Sequence, residues 1–240
     1  EHIPIWEFYA TPFSCADNPI NSDVAVTSNG PSGGNIQIFR QDSKGYGTRI
    51  SIPHMYTYFF DGFDHNGNLW VDGYTKNSTT IVASCSGSTC HTIRISGGTI
   101  FHPGFVQYAI GDNTWYVADR ECGGRISFCI YPVSPNGVLG KKITLTDAHG
   151  KPVCDMFQGA ITNARSRIFV GGGDNGLYSN CGVNSVARWN FPAGGDPTDG
   201  SDEVGLSPTG AAISAKSSIG ILGTFQPSDS RALDSPAAPR

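Results

Sequence analysis

The 240-residue sequence carries a formal net charge of −4, only 15% charged residues and no basic cluster, which speaks against a nucleic-acid partner. Its 31 glycines, 11% aromatic content and lack of a helical apolar stripe exclude a helical bundle and predict many short strands joined by tight turns. No apolar run is long enough for a membrane-spanning helix, the chain starts at Glu1 without a methionine, and seven cysteines sit at short loop spacings, so a processed, secreted protein of an oxidising compartment is expected.

Residues Glu1–Tyr9 (EHIPIWEFY) read as an apolar strand ahead of any complete repeat. A unit then recurs. Its clearest copy is Tyr58–Thr75, where two apolar strands flank a turn of His65, Asn66 and Gly67; Asn-Gly between strand formers predicts a hairpin with positive φ at both turn positions. Phe105–Asp119 and Met156–Gly172 repeat the pattern, and Phe13–Ser28 is a degenerate copy. Val26, Val71, Val117 and Val170 mark a period of roughly 45 to 50 residues, the range of propeller blades.

The strands line up as quartets, ordered outward from an axis. The first comprises Phe13–Asp17, Asp23–Thr27, Asn35–Arg40 and Thr48–Ile52. The second has Phe59–Asp64, Asn68–Tyr74, Thr80–Ser84 and Thr92–Ile95; the third has Phe105–Ile110, Thr114–Asp119, Arg125–Tyr131 and Lys142–Leu145. A fourth has Met156–Thr162, Arg167–Val170, Val186–Phe191 and an ill-defined outer strand before Leu206; a fifth opens with Thr209–Ala215 and Ile219–Phe225. The expected fold is therefore an all-β propeller of about five four-stranded blades over residues 1–225. An open propeller exposes two sheet edges, so Ile3–Phe8 is expected to pair with the last blade. Residues 226–240, rich in Pro, Ser and Ala, read as a tail.

The N-G-N-L-W-V-D-G-Y turn at Asn66–Tyr74 and its echoes resemble NHL-type repeats, in the broad group that includes the SMP-30/gluconolactonase-like propellers. The stretch S-G-G-N-I-Q-I-F at Ser32–Phe39 resembles uncharacterised secreted bacterial proteins of that group. The resemblance covers most of the chain and specifies a blade, not a reaction. It implies a divalent cation such as calcium on the axis, held by carboxylate and amide oxygens. Ser14 stands where the family carries an acidic residue on its first blade.

Aligning the innermost strands puts Ser14, Asp61, Gln107, Gln158 and Thr209 at one equivalent position. Such a ring is either the wet wall of a channel or a ligand or metal site, with Asp61 as the charge and the glutamines as amide donors or acceptors. Asp64, Asn66 and Asn68 alternate like the start of a calcium loop, but Gly67 is at the wrong offset and no distal Glu follows, so a hairpin turn is the better reading. Cys85–Cys90 followed by His91 has the wrong spacing for haem attachment and fits a small disulfide loop. Cys122–Cys129 and Cys154–Cys181 are expected as two further disulfides, leaving Cys15 a buried free thiol. His54, His102 and His149 fall in connections opening on one face, where they are either solvated or a metal or acid/base cluster. Gly171–Cys181 and Pro192–Gly205, which carry Asp174 and Asp196, are the longest insertions and open on the face where inner strands begin.

Two functions follow as expectations. One is a secreted binding or surface-assembly module that takes a protein or small ligand on its loop face or assembles through its tail. The other is a metal-dependent hydrolase, lactonase-like, or a lyase, with an axial site around Asp61, Gln107 and Gln158.

Overall fold

The computed structural model describes residues 11–30, 32–41, 47–122, 127–153, 156, 158–162, 168–173, 185–202, 208–213 and 219–223. These form four antiparallel four-stranded meanders and one two-stranded sheet. The first meander is β1 (Thr11–Asp17), β2 (Val24–Gly30), β3 (Gly33–Phe39) and β4 (Thr48–Ile50). The second is β5 (Thr57–Phe63), β6 (Leu69–Tyr74), β7 (Thr80–Ser86) and β8 (Thr89–Ile93). The third is β9 (Pro103–Ala109), β10 (Thr114–Asp119), β11 (Cys129–Val133) and β12 (Ile143–Thr144). The fourth is β13 (Gln158–Ile161), β14 (Ile168–Gly173), β15 (Ser185–Asn190) and β16 (Asp199–Asp202). The last is β17 (Pro208–Ile213) with β18 (Ile219–Gly223). The outer strand expected before Leu206 is β16. The pairing expected of Ile3–Phe8 lies outside the described residues.

The first strands of successive sheets are neighbours, β1 beside β5, β5 beside β9, β9 beside β13 and β13 beside β17. The approach is close: a Cβ on Gly62 would stand 2.8 Å from the Val106 carbonyl oxygen. Apolar side chains therefore fill the spaces between sheets. One core joins the first two blades through Ala25, Ile36, Ile50, Tyr58, Leu69 and Val71. A larger one runs from Phe60, Trp70 and Val82 through the third blade to Trp189 and Phe191 of the fourth. Trp70 and Trp115 stack across the second interface, centroids 4.5 Å apart and planes within 15°. Each large side chain buried in this way contributes roughly 1.5–3 kcal/mol.

Neighbouring inner strands do not form a backbone ladder, and side-chain amides bridge them. Gln107 donates from Nε2 to the Ile161 carbonyl (2.9 Å) and accepts the Ile161 N–H at Oε1 (2.8 Å). Asn29, near the end of the second strand β2, treats Tyr58 of β5 the same way, accepting its N–H at 2.7 Å and donating to its carbonyl. A side-chain amide presents an N–H and a C=O in one plane, as a peptide group does.

A second device recurs in the turns. At Asp64, Thr75, Ser134 and Asp147 the backbone N–H bonds to the carbonyl four residues on, while the side-chain oxygen accepts an N–H from within the turn. The fourth residue takes positive φ: 77° at Gly67, 58° at Ser78, 81° at Gly137 and 72° at Gly150. The hairpin at Asn66-Gly67 is thus confirmed, with one correction. Only Gly67 enters the left-handed region, because the Asp64 carboxylate holds a longer turn in which His65 and Asn66 keep negative φ.

The disulfides Cys85–Cys90 and Cys122–Cys129 are present as expected. Cys154 and Cys181 lie outside the described residues. Cys15 is free but exposed, contrary to the expected burial. Its strand is the first inner one, and Cys15 pairs with Val26 outside both described cores, where partial burial raises its thiol and Asp61 of the second blade is near enough to add to the rise.

Replacing Gln107 with Ala should lower stability by about 2 kcal/mol, since Ile161 is fully buried and both its backbone groups would lose their partner. Urea unfolding followed by circular dichroism measures this. A midpoint unchanged from the parent protein would refute the bridging role.

Candidate functional site

Three places gather polar or aromatic side chains. The first is the axial region where the ring was expected. Taking the repeat valines as a common level, their partners on the inner strands are Cys15, Asp61, Val106 and Ala160. Ser14 sits opposite Thr27, Gln107 opposite Tyr116 and Gln158 opposite Gly172, so they stand at other levels. Register shifts fall in β1, β5, β9 and β17, and Thr209 itself lies within the last of them.

The structure brings Ser14 and Asp61 together across the interface of the first two blades. Asp61 is only 7% exposed, and neither carboxylate oxygen has a hydrogen-bond partner. Burial pushes its carboxyl up to about 7, moderated by the facing Ser14 hydroxyl. Gln107 is turned the other way, toward Ile161 of the fourth blade, with both ends of its amide engaged. Asp72 is buried behind Asp61, where one oxygen accepts the N–H of Phe60 in the β5 bulge (2.8 Å). Burial and the nearby Asp61 raise its carboxyl against that bond.

For a hard cation, which takes six to eight oxygens, the described residues offer the Asp61 carboxylate and the Ser14 hydroxyl, too few for a full shell. Among the described residues no group of three His, Cys, Asp or Glu side chains is placed to hold a metal.

The second place is the face on which the inner strands begin. Phe13, 38% exposed, meets Phe59 and Phe60 edge-on, and Phe59 meets Tyr74 and His102. His102 Nδ1 stands 3.8 Å from the Glu121 carboxylate, and both backbone N–H groups donate to Asp119 Oδ1. Burial, Glu121 and Asp119 push the Tyr74 phenol up to about 12. His54 and His149 take no part. His54 occupies a left-handed turn, and His149 belongs to the Asp147 turn. The Pro192 insertion folds back on the third blade, where Thr146 Oγ1 donates to Asp196. Asp174 is outside the described residues.

The third place was not foreseen. A cleft of about 480 Å³ opens between the second and third blades on the opposite face. Its floor is Tyr108 and Trp115, with the His65 ring 5.3 Å from Tyr108. Pro132, Pro135 and Val138 form an apolar outer wall, and Val138 is 51% exposed. Asn66 and Asn113 supply amides at the rim. Tyr108 donates its phenolic hydrogen to Asn113 Oδ1, which occupies the amide oxygen and leaves the NH2 for another acceptor. Asp64 also lines the cleft, but its carboxylate is taken up by Asn66 and Asn68. The one sequence signal was Val138, an apolar side chain closing an otherwise polar S-P-N-G-V turn.

Known structures share this architecture. A gluconolactonase from Xanthomonas campestris aligns at TM-score 0.58 and 11% identity, over 87% of this chain and 68% of that one. An aldose sugar dehydrogenase from Streptomyces coelicolor, solved in its PQQ-bound form, aligns at 0.56 and 14%, over 89% and 74%. A propeller of the nidogen/laminin complex aligns at 0.60 and 13%, over 89% and 72%. No protein-family model and no curated protein matches the sequence. The fold is that of a β-propeller, as in these proteins. At these identities the likeness defines the architecture and leaves the activity to be argued from the site.

The raised Asp61 carboxyl has a signed consequence. The folded form holds a proton that the unfolded chain releases near pH 4, so Asp61's contribution falls as pH rises from about 4 to 7. Asp61→Asn should flatten that part of the profile, matching the parent at pH 4 and exceeding it at pH 8 by on the order of 4 kcal/mol. Asp72 is raised by burial in both proteins, and the part of its shift that Asp61 adds is lost in Asp61→Asn in the same direction. Parallel urea midpoints across this range would show Asp61 to be ionised throughout.

Proposed function

We propose that this chain is a secreted binding propeller, a single domain over residues 1–225 whose fifth blade is completed by Ile3–Phe8, and that it takes its ligand in the cleft between the second and third blades. The observation carrying this reading is the cleft itself, aromatic at the floor, apolar on the outer side and ringed by amides. Its volume lies within the range of small-ligand sites, and its chemistry is theirs: mostly apolar walls with a few placed polar groups. It is built from three separate turns on a rigid scaffold, the usual arrangement of recognition surfaces. The two disulfides support an oxidising, extracellular setting. No described helix is long and apolar enough to cross a membrane. Binding of laminin by the nidogen propeller shows that this architecture serves protein recognition elsewhere.

A second reading rests on Asp61, whose two unpartnered oxygens favour a charged or hydrogen-bonding occupant. Asp61 and Ser14, joined by the expected Gln158 and Thr209, would then seat a divalent cation for hydrolysis of the lactonase type. Gln107 enters this set only by giving up Ile161. Calcium or zinc should raise the melting temperature of the parent and not that of Asp61→Asn; equal shifts in both proteins dismiss the axial site.

For the cleft, the change in tryptophan emission that depends on Trp115, one of four tryptophans, is the readout. Titration with maltotriose and with a proline-rich decapeptide unrelated to this chain should give a saturable change with at least one. Val138→Asp should abolish it. No response to either probe removes the cleft as the recognition site.

A further inference from the structure

Resting on the binding reading above, we infer that the cleft between the second and third blades is a seat for the chain's own segment Pro236-Ala-Ala-Pro239. Two observations made independently meet here. The sequence 235–240 is S-P-A-A-P-R, with prolines three residues apart. That spacing places both rings on one edge of a polyproline II helix, which has three residues per turn. The cleft has the chemistry such a helix needs: Tyr108 and Trp115 at the floor, with Pro132, Pro135 and Val138 along the outer side. Grooves that recognise this conformation are lined by aromatic side chains against which proline rings pack.

The polar groups fit as well. A polyproline II segment makes no internal hydrogen bonds, so its carbonyls look for donors. Asn113 has its oxygen held by Tyr108 and its NH2 left to donate, and Asn66 offers a second amide at the rim. Charge points the same way. The lining contains no lysine or arginine, and its one carboxylate, Asp64, is already satisfied by the turn it caps. A ligand read by charge has nothing to grip there, whereas Ser235–Pro239 carries no charge at all.

β18 ends at Gly223, and the thirteen residues from there to Pro236 extend to about 45 Å at most. Docking the segment in the same copy or in a second one uses the same contacts.

The test uses the full chain with its own motif disabled, P236A/P239A, and a synthetic peptide of residues 226–240. Tryptophan emission should change saturably with the native peptide. Binding should weaken tenfold or more when the peptide carries the same two alanines. His65→Ala and Val138→Asp, both at exposed positions, should each weaken the native peptide by a similar factor while leaving the circular dichroism spectrum unchanged. Equal binding of the native and alanine peptides, or no effect of either cleft variant, overturns the assignment. If maltotriose still gives a Val138-dependent signal in that case, the cleft remains a binding site and only its occupant is wrong. Silence with every probe overturns both.

Discussion

No sheet of this protein covers itself. Each blade has two faces, and nearly every large apolar side chain finds its cover on a neighbouring blade, as Tyr58 does against the first sheet and Trp115 against the second. Stability is therefore a property of the interfaces, and a blade alone would leave both faces in water. The amide bridges follow from the same constraint. Inner strands approach closely without hydrogen-bonding as a ladder, so buried backbone groups such as those of Ile161 need partners from elsewhere. Asn29 and Gln107 supply them with the same atoms a peptide would offer.

The blade quartets were legible because this fold writes itself in short periods. Alternating apolar residues and turn formers at repeated spacing placed the strands to within a few residues, down to β16. Side-chain destinations were harder to read. A bulge inserts a residue without any signature in the hydrophobic pattern, and it moves every later side chain to the other face. Hairpin lengths differ as well: Asp61 lies ten residues before its partner Val71, whereas Val106 lies eleven before Val117, so Asp61 and Gln107 look equivalent in alignment while Asp61 points to the first blade and Gln107 to the fourth. Cys15 went wrong for a related reason. An apolar context in sequence says that a strand is packed, but not which of its faces has a neighbour. The cleft was invisible because its walls come from turns near residues 65, 113 and 135, brought together only by blade packing.

The two ends of the inner strands differ in character. Where they begin, rings and ionisable groups crowd together from Phe13 to Glu121, with backbone N–H groups already committed to Asp119. Where they end, the turns stand apart and leave open space. Asp61 lies between, in a setting that favours a neutral carboxyl. Polar chemistry is thus concentrated near the axis, while room for a partner exists at the opposite rim.

The capped turns bear on chemical ageing. Asparagine followed by glycine deamidates when the glycine nitrogen swings round to attack the side-chain carbonyl carbon. At Asn66-Gly67 and Asn136-Gly137 that nitrogen is held by the carbonyl of the turn's first residue, Asp64 or Ser134. At Asn29-Gly30 the side chain itself is fastened to Tyr58. The geometry that sets the register of the strands also keeps these three steps from cyclising for as long as the protein stays folded, while a fourth such step, Asn175-Gly176, lies outside the described residues.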